Sequence, residues 1–97
     1  MNKNEFIVKF KKPYKFETQE YNEIDLSGLQ KLTTQDLVDA ERQFTATGQA
    51  APVAEMSIGY ASIVAAMATK KPVEFFSGLP APEGIKIKNV VTSFFYE

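Results

Sequence analysis

The apolar period changes once along this chain, and that change constrains the fold most. Between residues 5 and 26 apolar side chains recur every second position. Phe6, Val8 and Phe10 alternate with Glu5, Ile7, Lys9 and Lys11, mostly at period two, then Tyr14 and Phe16 with Lys15 and Glu17, and Tyr21, Ile24 and Leu26 follow. A period of two is the signature of strands. Beyond Ser27-Gly28 the spacing becomes helical. The pattern predicts an α+β fold, with a small N-terminal antiparallel hairpin sheet packed against three to four α-helices. A strand is expected at 5–11, followed by a hairpin in which 14–17 returns through 21–26. Its turn is expected near Thr18-Gln19-Glu20. Pro13 lacks an N–H, so it is expected at a strand end or an edge. With 97 residues, one domain accounts for the chain, its hairpin within 5–26 and its helical part within 32–97.

Helix boundaries follow from capping chemistry. Thr33 as N-cap places Asp36 at the third helical position, where a carboxylate meets free amides and the positive end of the helix dipole. The same frame puts Leu32 and Leu37 at the spacing of a hydrophobic staple. Leu37, Ala40 and Phe44 then share a face, and the helix is expected to end before Gly48. Residues 46–54 are small and read as a linker, with Pro52 able to open the next helix. There Met56, Tyr60, Ile63, Val64 and Met67 form a stripe. Gly59, Ala61, Ala65, Ala66 and Ala68 keep the helix slim, which suits a central element. Lys70-Lys71-Pro72 ends it. A short helix over Val73 to Ser77 is expected next, with Gly78 just past its end. Pro80 and Pro82 bracket a turn, and a last helix starts at Pro82 or Glu83. Its stripe is Ile87, Val90, Val91, Phe94 and Phe95.

Several function classes are disfavoured by composition. Cysteine and histidine are both absent, which removes disulfides, thiolate chemistry, Cys/His zinc sites and imidazole acid–base catalysis. Asp36 with Asp39 or Glu41 could form a carboxylate pair, but acids in a first helical turn are more simply explained by the dipole. Glycines stand apart at 28, 48, 59, 78 and 84, so no phosphate-cradling loop is present. No catalytic, cofactor or metal residue is assigned, and the chain is expected not to be an enzyme. Eleven basic and twelve acidic residues give a net charge of −1. The charge is 0 over 1–26, −2 over 27–69 and +1 over 70–97, so no basic face forms for nucleic acid. Arg42 is the lone arginine. A helix-turn-helix is disfavoured because the second helix is neutral. The start of the chain does not read as a signal peptide, and Ile58 to Thr69 is too short for a bilayer. No membrane partner is expected.

What remains is protein binding. Eight Phe and four Tyr are many for a thin core. Tyr96 cannot share the buried face of Phe94 and Phe95, and of Phe75 and Phe76 one is expected inside and one near the surface. The candidate partner-binding strip is therefore Phe75, Phe76, Val91, Phe94, Phe95 and Tyr96.

The run Tyr21-Asn22-Glu23-Ile24-Asp25-Leu26-Ser27-Gly28-Leu29 leads into Leu32-Thr33-Thr34-Gln35-Asp36-Leu37-Val38-Asp39-Ala40-Glu41-Arg42. After it come Tyr60 with Ile63-Val64-Ala65-Ala66, then Lys71-Pro72-Val73-Glu74-Phe75-Phe76, and the closing Val90-Val91-Thr92-Ser93-Phe94-Phe95. This order resembles the small tail assembly chaperones of long-tailed bacteriophages and prophages, over about residues 5–97. The resemblance implies a non-enzymatic escort for the tape-measure protein, acting in the bacterial cytoplasm and absent from the finished virion. It also implies a homo-oligomer, and a longer frameshifted form that recruits the tail tube protein, this chain being the short form. The alternatives are a structural tail or connector component kept in the virion, and a small regulatory or antitoxin-like binding protein.

Overall fold

The computed structural model describes residues 6–46 and 58–95. The expected linker beyond Ala46, Pro52, Met56 and Tyr96 lie outside them. The fold is α+β: a two-stranded antiparallel sheet of β1 (Ile7–Phe16) and β2 (Gln19–Asp25), a 3-10 turn at Ser27–Lys31, and four helices. The helices are α1 (Thr34–Ala46), α2 (Ile58–Thr69), α3 (Val73–Ser77) and α4 (Ala81–Phe95). None of the described helices is long and apolar enough to cross a membrane.

The expected first strand and the first arm of the hairpin are one strand. β1 runs through Pro13, and its pairing slips there: Lys9 faces Glu23, but Tyr14 faces Tyr21. Residues 10–13 on β1 therefore stand against Asn22 alone. Such a bulge tolerates proline because no ladder N–H is needed at that point. The turn is Glu17-Thr18, earlier than expected, and Glu17 adopts φ 57°.

At the start of α1, Thr33 and Asp36 cap each other reciprocally. The Asp36 N–H donates to Thr33 Oγ1 at 3.2 Å, and the Thr33 N–H donates to Asp36 Oδ2 at 2.8 Å. This pairing satisfies amides that the helix cannot. Helix α2 lies at the centre, as its small residues suggest. It buries Tyr60, Ala61, Ile63, Val64 and Ala65, more than one stripe's worth. The Tyr60 hydroxyl donates to the Leu37 carbonyl at 3.4 Å, tying α2 to α1. Gly28 lets the 3-10 turn approach closely, since a Cβ there would run into the Ala68 carbonyl. Helix α2 ends with Lys70 at φ 59°, and the Lys71 N–H closes back to the Ala66 carbonyl at 3.2 Å. That is the pattern usually completed by glycine. Gly78, expected to use that freedom, instead sits at φ −84°. Its role is spatial, because a Cβ there would lie 2.7 Å from the Tyr14 hydroxyl.

The core gathers around α3. Phe75 is fully enclosed, and the rings of Tyr14, Phe16, Tyr21 and Phe76 stand edge-on to it with centroids 4.9–5.3 Å away. The Tyr14 hydroxyl donates to the Phe75 carbonyl at 2.9 Å. Lys71 Nζ lies 4.5 Å from the Tyr21 ring centre and 5.3 Å from that of Phe75. The hairpin thus folds its far end over α3.

Two outcomes follow. Phe75→Ala removes the ring that four others contact, and denaturant unfolding should show a loss of about 3–5 kcal/mol. Lys70→Gly relieves a left-handed backbone at an exposed position outside the core, and the same measurement should show a gain of about 0.5–1 kcal/mol.

Candidate protein-binding groove

The strip expected from the sequence is not an open surface. Phe75 and Val91 are fully buried and Phe76 nearly so. The expectation of one Phe inside and one outside fails because α3 lies between the hairpin and the helices. Phe75 turns to Tyr14, Phe16 and Tyr21, while Phe76 lies beneath the groove described below. Phe94 and Phe95 are half-buried. Phe94 meets Phe6 edge-on at 6.1 Å, and Phe95 lies 6.3 Å from Tyr60. The terminal rings are used to join α4 to β1 and α2.

Apolar surface is exposed elsewhere. The end of α1, the first turns of α2, helix α3 and the start of α4 surround a groove of about 480 Å³. Phe44, Ile63, Phe76 and Leu79 are buried beneath it. Ile58 and Val73 stand on its sides, 47% and 37% exposed. Gln43, Ser62 and Ser77 supply neutral polar groups, and among the described residues no charged side chain lines it. A Cβ added to Gly84 would sit 3.6 Å from Ile58 Cδ1, so glycine keeps this end open. Ile85, next along α4, is 50% exposed. An apolar groove of this kind can take the apolar face of another polypeptide.

Ile85, Ile58 and Val73 were absent from the predicted strip for different reasons. Ile85 lies off the Ile87–Val91–Phe94 stripe, and that off-stripe position was a usable signal. Ile58 and Val73 belong to apolar stretches that read as core, and only the arrangement of α1, α3 and α4 decides that they are uncovered.

One buried charge holds the hairpin to the helices. Glu83 sits in the first turn of α4, where Pro80 accepts the first helical N–H bonds. It is only 5% exposed. Its Oε2 accepts the Lys11 N–H at 2.7 Å, and its Oε1 lies 2.8 Å from Lys86 Nζ. Lys86 also donates to the Lys9 carbonyl at 3.2 Å. The β1 bulge frees the Lys11 N–H, the ladder's alternation turns the Lys9 carbonyl away from β2, and α4 takes both up. The Lys86 hydrogen bond, then the Lys11 N–H, hold the Glu83 carboxyl below its ordinary value of 4.5 against the opposing effect of burial. Burial pushes the Tyr14 hydroxyl upward.

Among known proteins, no family model, curated protein or solved structure matches this chain.

Because the folded carboxyl titrates below the unfolded one, its contribution is present above about pH 4.5 and is lost as pH falls through the lowered value. Glu83→Gln should therefore be less stable than the native chain at pH 7, and the gap should shrink towards pH 3. Denaturant midpoints for both proteins across that range check it.

Proposed function

We propose that this chain is a non-enzymatic assembly chaperone of a long-tailed phage or prophage. In this reading it binds the tape-measure protein during tail morphogenesis, in the cytoplasm of the bacterial host, and leaves before the virion is complete. The observation that carries a binding role is the uncharged groove flanked by half-exposed Ile58 and Val73. The chain hides its aromatics, including Phe75 and Phe76, yet leaves aliphatic side chains in water beside a depression. Leaving them there gives up burial free energy, which a partner's apolar helix would recover. The resemblance of Leu32–Arg42, Lys71–Phe76 and Val90–Phe95 to tail assembly chaperones supplies the partner. A tape measure is long, so many copies binding weakly would hold it through multivalency. The longer frameshifted form, tail tube recruitment and self-association belong to the same proposal.

Co-expression with a tape-measure protein from the same genome tests the reading, and a stable complex is the expected result. Ile58→Asp with Val73→Asp should weaken that complex about tenfold or more, because central apolar anchors dominate interfaces. The fold should survive, since both side chains are already partly solvated and neither belongs to the fully buried core. A native-like fold with unchanged binding removes the groove from the proposal. Failure of the native pair to associate removes the chaperone role. Recovery of the chain in purified virions favours a structural tail component.

A further inference from the structure

The two edges of the hairpin are treated differently. Leu26 donates its N–H to Phe6 at 2.8 Å. Bonded positions then alternate along the ladder through Val8 and Ile24, so Ile7 and Lys9 turn their backbone groups away from β2. That far edge of β1 is closed by α4, where Lys86 takes the Lys9 carbonyl and Glu83 the Lys11 N–H. Among the described residues the sheet has two strands, and β2 has no strand neighbour on its other side. By the same alternation Glu23 directs its backbone groups to that open edge. So does Glu20, which faces Lys15 next to the pair closing the two-residue turn.

Charge is segregated in the same way. Strand β1 carries Lys9, Lys11, Lys12 and Lys15 and no acid, while β2 carries Glu20, Glu23 and Asp25 and no base. All three acids are exposed. Strand β2 also lacks proline and lysine, two of the devices that commonly blunt an edge, so the charge it does carry is acidic alone.

We propose that the open edge of β2 accepts an extended, lysine- or arginine-bearing segment of a partner protein as a third strand. Such a strand would mirror β1, whose Lys9 and Lys15 already stand opposite Glu23 and Glu20. A second copy of this chain fits poorly. Its own β2 would set acids against acids, and its β1 edge is occupied by α4. This surface is separate from the groove, so its fate does not depend on the tape-measure proposal.

A short synthetic peptide alternating lysine and valine, added to the intact protein, tests the inference by amide hydrogen exchange. Exchange at Glu20 and Glu23 should slow, and replacing Glu20→Lys with Glu23→Lys should weaken binding about tenfold. The native protein should not bind the same peptide N-methylated at alternate residues, a comparison that does not depend on how the variant folds. Equal binding of the methylated peptide or of a glutamate–valine peptide overturns the proposal. So does unchanged exchange at β2. Slowing that appears without peptide as protein concentration rises also overturns it, in favour of a second copy.

Discussion

The enclosure of Phe75 is the contact on which the rest of the structure depends. A two-stranded hairpin is marginal alone in water. A five-residue helix such as α3 is far below the length at which a helix holds itself together. Each becomes stable through the other, because Tyr14, Phe16 and Tyr21 close over Phe75 while Tyr14 bonds the α3 backbone. Gly78 is the spatial consequence, since the Tyr14 hydroxyl occupies the room a side chain would need.

The β1 bulge follows from the same geometry. Pairing is regular near Phe6 to Lys9 and again from Tyr14 to Phe16, but the two stretches are out of step. One stretch serves α4 and the other serves α3. The bulge between them leaves the Lys11 N–H without a β2 partner, the ladder's alternation turns the Lys9 carbonyl outward, and Glu83 and Lys86 of α4 take the two. A buried carboxylate is costly unless it is bonded and paired. Here it has both a backbone donor and an ammonium, so it links sheet and helix while remaining charged.

These two joints also decide which surfaces are left for partners. Phe75, Phe76, Val91, Phe94 and Phe95 are drawn into the molecule because the hairpin and α4 close on them. The uncovered apolar surface is aliphatic instead and lies between α1, α2, α3 and α4, at Ile58 and Val73. On the sheet, α4 covers one edge and leaves the other.

Local chemistry was readable in the sequence. Thr33 and Asp36 act within one helical turn, so their reciprocal cap needs nothing distant. Pro72 before Val73 and the Ala-rich Ile58–Thr69 run likewise announced their elements through short-range sterics and spacing. What could not be read was which of several apolar side chains would lack a neighbour. Phe75 and Val73 are equally apolar and two residues apart, yet one is enclosed and the other half in water. The difference lies in where the hairpin folds back, a contact between positions some sixty residues apart along the chain. Period and capping propensity act over a few residues, whereas burial is settled when distant elements compete for the same volume. The sequence alone therefore determined the order of the helices and the extended character of the N-terminal part, while tertiary packing decided how the strands join and which side chains form the interior.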